Sequence, residues 1–303
     1  MSHARIAGRH GRRARRRQAL IGWGFSLPFV LLFGVFMAGP IVVSFVTSFT
    51  DMRVTDIRSP FGVGFVGLSN YVDVFQDATF RRAARNTAVY VVFAVPLTIG
   101  LGLLVALGLN QATIKLRNVL RLGYFLPYVT SIVAISVVWR IILGTDAGLV
   151  NGLLDSLGIA GPGWLTDSRY SLWSIILMTT WHGLGLQMII FLAGLQAIPP
   201  ELYEAADVDG AGRLQRLRYV TIPQLRPTVL FSTVVASIGL LQFFEEPYVM
   251  TQGGPLDSTL SVAFHAYNQF TFGNYGYTAA ISYVLFVVIA GLTALQFRVL
   301  REK

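Results

Sequence analysis

The chain has no cysteine in 303 residues. That absence excludes disulfides and thiolate metal sites. Charge is scarce too: Asp, Glu, Lys and Arg make up 13% of the residues, against 54% hydrophobic. Soluble domains carry about a quarter charged residues, so the composition is that of a membrane protein, and the mean hydropathy of +0.60 agrees. No G-x-x-x-x-G-K-[ST] phosphate loop occurs, so ATP hydrolysis is not expected of this chain. Four scattered histidines without cysteine make no metal site, zinc or haem included. No apolar run carries paired carboxylates, a Ser–His pair or H-E-x-x-H, and no catalytic residue is assigned.

What the sequence does have is a series of apolar runs. A membrane-crossing helix needs about 20 mainly apolar residues. The stretch between Arg17 and Asp51 has no charge at all, and further runs cover 86–110, 122–139, 170–197, 228–244 and 278–297. The third and fifth are short, but flanking Arg side chains can snorkel and extend them. These runs predict an all-α polytopic protein with six transmembrane helices: a basic segment 1–18 followed by a transmembrane domain 19–303.

Basic residues fix the expected orientation. The N-terminal segment, the loops 111–121 and 199–227 and the C-terminal tail hold 17 of the 24 Lys and Arg residues. The alternate segments 51–85, 140–169 and 245–277 hold the other seven. Cytoplasmic loops collect Lys and Arg, so both termini and the 199–227 loop are expected inside and 245–277 outside. "RHGRRARRRQAL" also invites a secretion-signal or nucleic-acid reading. The apolar stretch after it runs some thirty residues, beyond the 7–15 of a signal core. Beside a span, the Arg run reads as a topology determinant in contact with anionic membrane lipid, and no nucleic acid is expected as a partner.

The loop "PPELYEAADVDGAG" interrupts these runs. Pro199 and Pro200 end one helix and start another. Glu201, Glu204 and Asp207 then recur every three residues near a helix N-terminus, where negative charge is favoured. Ala205 and Ala206 permit close approach to another surface. Gly210 and Gly212 are expected to stop the helix in a left-handed turn. Arg213 and Arg216, with Leu214 and Leu217, make a second short amphipathic segment before Pro223. The loop is thus a compact helix–turn–helix too polar for lipid, in which acids and arginines could pair with one another.

At this point the residues resemble a known family. Glu204-Ala205-Ala206, three residues, Gly210, nine residues, then Val220-x-Ile222-Pro223 is similar to the EAA motif of binding-protein-dependent ABC importer permeases. "LPFVLLFGVFMAGPIVVSFVTSFT", "FVGLSNYVDVF" and "YVMTQGGPLDSTLSVAFHAYNQFTFGNYGYTAA" extend the resemblance to the carbohydrate-uptake subclass over most of the chain. It implies a type I permease fold with six helices, N-in and C-in, in the cytoplasmic membrane of a prokaryote. The loop 199–223 would be a coupling helix docked in a cytosolic ATPase subunit, with Glu204, Ala205, Ala206 and Gly210 as the docking element and Pro223 as the start of the return. The implied partners are a second homologous permease, an ATPase dimer that binds ATP and Mg, and an extracytoplasmic binding protein. No cofactor is implied in this chain.

Polar residues inside spans suggest a pathway. Trp181, His182 and Gln187 in the fourth run, with Ser237, Gln242 and Phe243 at the fifth, are the candidates for substrate contact; the same residue types also bridge packed helices. Glu245 and Glu246 follow at the outer end, where they could gate entry or contact a binding protein, though solvated loop acids are the ordinary expectation. In the external loop, Gly253 and Gly254 allow backbone conformations closed to other residues, and Pro255 fixes the exit. The expected cargo is a saccharide or a glycerol-phosphate-type compound. An ion-coupled secondary transporter is the other class considered; internal repeats and intramembrane charges, which mark such carriers, are not evident.

Overall fold

The computed structural model describes residues 21–59, 62–111 and 116–300. The basic segment 1–18, Lys115 and the tail residues Arg301 and Lys303 lie outside the described residues. The described residues open with α1 (Ile21–Thr47), which widens into a π turn at Gly34–Ala38 just before Pro40. Proline has no N–H to give the preceding turn, and such irregularity is its usual cost. Helix α2 (Ser69–Gln76) leads into α3 (Ala78–Leu109). Asp77 caps α3, its side chain accepting the Thr79 N–H at 2.7 Å.

After these come α4 (Arg117–Val129), α5 (Ile132–Ile142), α6 (Leu149–Ser156) and α7 (Ser171–Gln196). Helices α8 (Pro200–Val208), α9 (Arg213–Gln224), α10 (Arg226–Leu241) and α11 (Glu245–Met250) follow. The chain ends in α12 (Val262–Thr271) and α13 (Tyr275–Leu300). Among the described residues, strand pairing is limited to one isolated bridge between Thr50 and Phe65.

Helices α1, α3, α7 and α13 are each long and apolar enough to cross a membrane, and the tally reaches six if each of two bent pairs is one crossing. The third apolar run is one of these pairs, with α4 and α5 meeting at 97°. The break has a local cause. Pro127 lies in the last turn of α4, and Thr130 turns to extended backbone (ψ 144°). The Thr130 hydroxyl then donates back to the Leu126 carbonyl at 3.0 Å. A proline and a back-bonding threonine so close together end a helix. The fifth run is helical in α10, which bends 62° from α9 and ends at Leu241, before Phe243 and Phe244.

Helix α7 is the axis of the bundle, with buried residues around most of its circumference. It packs along α3, and glycines allow the approach. A Cβ at Gly102 would collide with Gln187, and one at Gly185 would strike the backbone of Tyr124 and Phe125 in α4. One apolar core gathers Tyr90, Ile175, Met178 and Phe243. A second, toward the α8 end, gathers Met188, Phe191, Leu195 and Leu225. A third joins Val74 and Phe80 to Phe264 and Ile281, so that α2, α3, α12 and α13 are clamped together. By contrast, α1 leaves its apolar side chains exposed. It touches α13, where the Tyr283 hydroxyl donates to the Ile41 carbonyl at 2.6 Å.

Candidate functional site

At one end of the bundle, α8 and α9 form the helix–turn–helix anticipated from the sequence. Pro200 sits at the first turn of α8 and Glu201 supplies the acid there. The helix ends on Gly210 at φ +72°. The Ala211 N–H reaches the Ala206 carbonyl at 2.9 Å and the Gly210 N–H reaches that of Asp207 at 3.0 Å. This is the Schellman pattern that satisfies terminal carbonyls. Gly212 does otherwise: at φ −68° it caps α9 in extended conformation, and its N–H donates to Gln215 Oε1 at 2.7 Å.

Two contacts hold α8 against α9, the Tyr203–Thr221 hydroxyl pair at 3.0 Å and the Arg216–Asp207 ion pair at 2.6 Å. Tyr203 was not singled out in the sequence; its aromatic ring three residues into a polar helix was the available signal. Glu204 and Ala205 are exposed, while Ala206 and Pro223 are partly covered. Beside them Val208 and Leu214 are 89% and 77% exposed. The outer surface of the element is therefore small-faced, acidic and apolar in patches.

A cavity of about 350 Å³ opens between α3, α4, α7, α10 and α11. His182 and Gln187 line it, with Thr98, Thr179, Tyr128 and the two acids Glu245 and Glu246. The Tyr128 and His182 rings lie 5.7 Å apart. Gln187 is buried and accepts the Ser232 hydroxyl. Glu246, expected as a solvated loop acid, is 7% exposed instead. The turn after α10 folds α11 back against α5 and α7, and this carries the carboxylate inward.

The other residues proposed for the pathway are not gathered there. Trp181 lines a separate, almost wholly apolar cavity beside Trp139, their rings 5.6 Å apart. Ser237 accepts Gln296 Nε2 from α13 at 2.8 Å, a bond between packed helices. Gln242 is exposed and donates to the Ile238 carbonyl at 2.9 Å. Phe243 stacks on Tyr90 at 3.8 Å, and the Tyr90 hydroxyl donates to Thr179 at 2.9 Å. Phe243 thus supports the cavity wall from behind.

The 245–277 segment is tied to the first turns of α3. Arg82 pairs with Asp257 at 2.8 Å, and Asn86 donates to the carbonyls of Asp257 and Leu260. Gly253 takes φ +83°, as the glycine pair implied, whereas the other positive angles fall on Gln252, Leu256 and Asp257 rather than Gly254. Pro255 follows a cis bond from Gly254. Below the loop, Asp77 Oδ2 meets His265 Nε2 at 3.1 Å and accepts the Tyr277 hydroxyl at 2.9 Å. Burial lowers the His265 pKa from its ordinary value, with Asp77 acting against that shift. For Asp77, burial works upward, but hydrogen bonds from the Thr79 N–H and from Tyr277, with the nearby His265, hold the carboxyl below its ordinary range.

A multi-helix bundle with broken spans, a polar cavity among them and a rigid polar hairpin at one end defines a membrane transport component. Residues 98–300 match the family described as binding-protein-dependent transport system inner membrane component, and the chain belongs to that family. It is 38% identical over 288 residues to a lactose transport system permease protein of Rhizobium radiobacter, covering 93% of this chain and 94% of that one. It is 34% identical to an arabinooligosaccharides transport system permease protein of Bacillus subtilis (strain 168), covering 90% and 86%. A bacterial alginate ABC transporter, solved with a pentasaccharide-bound periplasmic protein, shares the fold: TM-score 0.82 at 23% identity, over 95% of this chain and 96% of that chain. The protein is accordingly a multi-pass component of the cytoplasmic membrane.

Proposed function

We propose that the chain is one permease subunit of an ATP-driven importer of a saccharide or a glycerol-phosphate-type compound, working with a second homologous permease, two ATPase subunits and an external binding protein. ATP and Mg bind to the ATPase subunits, and this chain contributes no catalytic residue. Both termini and the 199–223 loop face the cytoplasm, as the distribution of Lys and Arg supports. The observation that carries the reading is the α8–α9 hairpin. Its turn is locked by Gly210, its two helices are tied by Tyr203 and Asp207, and Glu204 and Ala205 are left exposed beside apolar side chains. Exposed apolar patches on an otherwise polar element mark protein interaction sites. The family membership and the relatives named for lactose and arabinooligosaccharides support the cargo class. The hydroxyl, amide and imidazole groups facing the cavity suit a polyhydroxylated solute.

Coupling then follows from rigidity. Closure of the ATPase pair moves α8, and the α9–α10 bend and the Leu225 core pass that movement to α7 and α3. The test is reconstitution. The purified chain alone is expected to transport nothing, whereas the full assembly takes up saccharide on adding ATP and binding protein. Glu204→Lys is expected to lose ATPase co-purification through charge reversal at the docking surface. Ion-driven uptake by the chain alone would overturn the reading.

A further inference from the structure

Glu246 and His182 both line the same cavity, and each has a buried polar atom, Oε2 and Nε2, with no partner among the described residues. Buried polar groups are nearly always satisfied, and an orphaned carboxylate oxygen is costly unless something fills the site. Glu246 is 7% exposed. Glu245 adds a second carboxylate to the rim, and no Lys or Arg lines the cavity among the described residues. The remaining polar lining, Thr98, Tyr128, Thr179 and Gln187, is uncharged. Gln187 is already engaged with Ser232, and Thr179 with Tyr90. Glu245 and Glu246 are therefore the charged groups of the lining, with Tyr128 and His182 beside them as uncharged partners for a solute.

We infer that Glu246 is a charge-selectivity residue of the transport pathway: it accepts hydroxyl or ammonium donors from an uncharged or cationic polyol and excludes anionic solutes such as sugar phosphates, uronates and sulfonates. The inference rests on the permease reading of the cavity and narrows its substrate class. A carboxylate accepts two hydroxyl protons side by side and offers an anion nothing to bind. Burial raises the Glu246 carboxyl to about 7, so above that pH it carries its charge, and in a cavity of low effective dielectric that charge discriminates strongly by sign. The assignment removes glycerol-phosphate-type esters from the expected cargo and leaves neutral saccharides.

The cysteine-free chain allows a direct measurement. Leu240→Cys places one thiol on the cavity wall. Its modification rate in the assembled transporter is read by the mass shift of this chain. Three methanethiosulfonates of similar size serve as probes: ethylsulfonate (anionic), hydroxyethyl (neutral) and ethyltrimethylammonium (cationic). After division by their rates on a small free thiol, the cationic reagent is expected to exceed the anionic one about tenfold or more, which a unit charge within about 10 Å sustains at an effective dielectric near 20. At about pH 8, where a carboxyl of pKa about 7 is largely ionised, Glu246→Gln should lower that ratio severalfold, with Glu245 keeping the remainder, whereas Asp155→Asn, outside the cavity, should leave it unchanged. Val235→Cys repeats the test from a second wall position in case the first variant assembles poorly. A ratio near unity with Glu246 present, or one that Glu246→Gln does not alter, overturns the inference. ATPase co-purification and ATP-driven uptake of the unmodified assembly report on the permease reading separately, so either can fail while the other stands.

Discussion

Gly210 is the position at which a single methyl group tests whether the α8–α9 hairpin is the coupling element. Its φ of +72° lies in the left-handed region, and a Cβ there would meet nothing within 4 Å. Steric collision within the chain therefore contributes nothing, and the cost of a side chain is purely conformational. Holding an L-residue in that geometry costs about 1–2 kcal/mol. Abandoning the geometry instead forfeits the Ala211–Ala206 and Gly210–Asp207 bonds that end α8, a comparable loss at about 1 kcal/mol each. The correctly aimed hairpin therefore loses about 1–2 kcal/mol of its preference over the unlatched turn, a roughly 5- to 30-fold shift in the equilibrium between them. Asparagine visits the left-handed region readily, which fixes an order: Gly210→Asn mildest, Gly210→Ala intermediate, Gly210→Val most severe. The assay is ATPase co-purified per permease, together with ATP-driven uptake in proteoliposomes, with thermal stability of the permease itself as a control. Uptake by the Val variant at the unmodified rate would refute the reasoning. So would equal impairment of Asn and Val, since that would trace the effect to bulk at the docking surface and not to the turn.

Three further outcomes are expected. Gly185→Leu should destabilise the purified chain by about 1–3 kcal/mol, the usual cost of overpacking, because its Cβ meets the Phe125 Cα at 2.9 Å as well as the Tyr124 carbonyl; an unchanged melting temperature would show that α4 and α7 are not in close contact. Since burial lowers the His265 pKa, the unfolded chain binds its proton first as the pH falls below 6.5, and stability is lost across that window. His265→Gln should flatten that part of the melting-temperature profile, leaving the Asp77 contribution, which is lost only below its ordinary 3.8. Replacing Gly253 and Gly254 together by valine should weaken binding-protein-stimulated ATPase with assembly intact; Gly253 should account for most of it, because only that residue of the pair has positive φ.

Much of the architecture was legible because lipid imposes a simple length rule on apolar runs. The hairpin was equally plain, since a proline start and a glycine stop have fixed backbone meanings, and Gly210 behaves as its type predicts. Gly212 does not, because the αL turn needs one residue and the next one already starts a helix. The break in the third run was present in Pro127 and Thr130, but a hydropathy window averages across it. The cavity was harder to read. His182 and Gln187 face it, yet Ser237 turns to Gln296 on α13, a neighbour 59 residues away that no local pattern announces. Trp181 sits one residue before His182, and that single step carries it to another face of α7. Glu246 was misjudged for a related reason: charge near the end of a span suggests solvent, but the turn after Leu241 brings α11 back into the bundle.

The exposure of α1 bears on how the protein is made. This helix packs on α13, which leaves the ribosome long after it. While the segments between them are being synthesised, α1 must stay in the bilayer without that neighbour. The mean hydropathy of its most apolar 18-residue stretch, 2.5, suits it to dwell among lipid tails unaided. Its side chains are accordingly open to lateral encounter early in synthesis, so a neighbouring membrane chain can meet this helix before α13 exists.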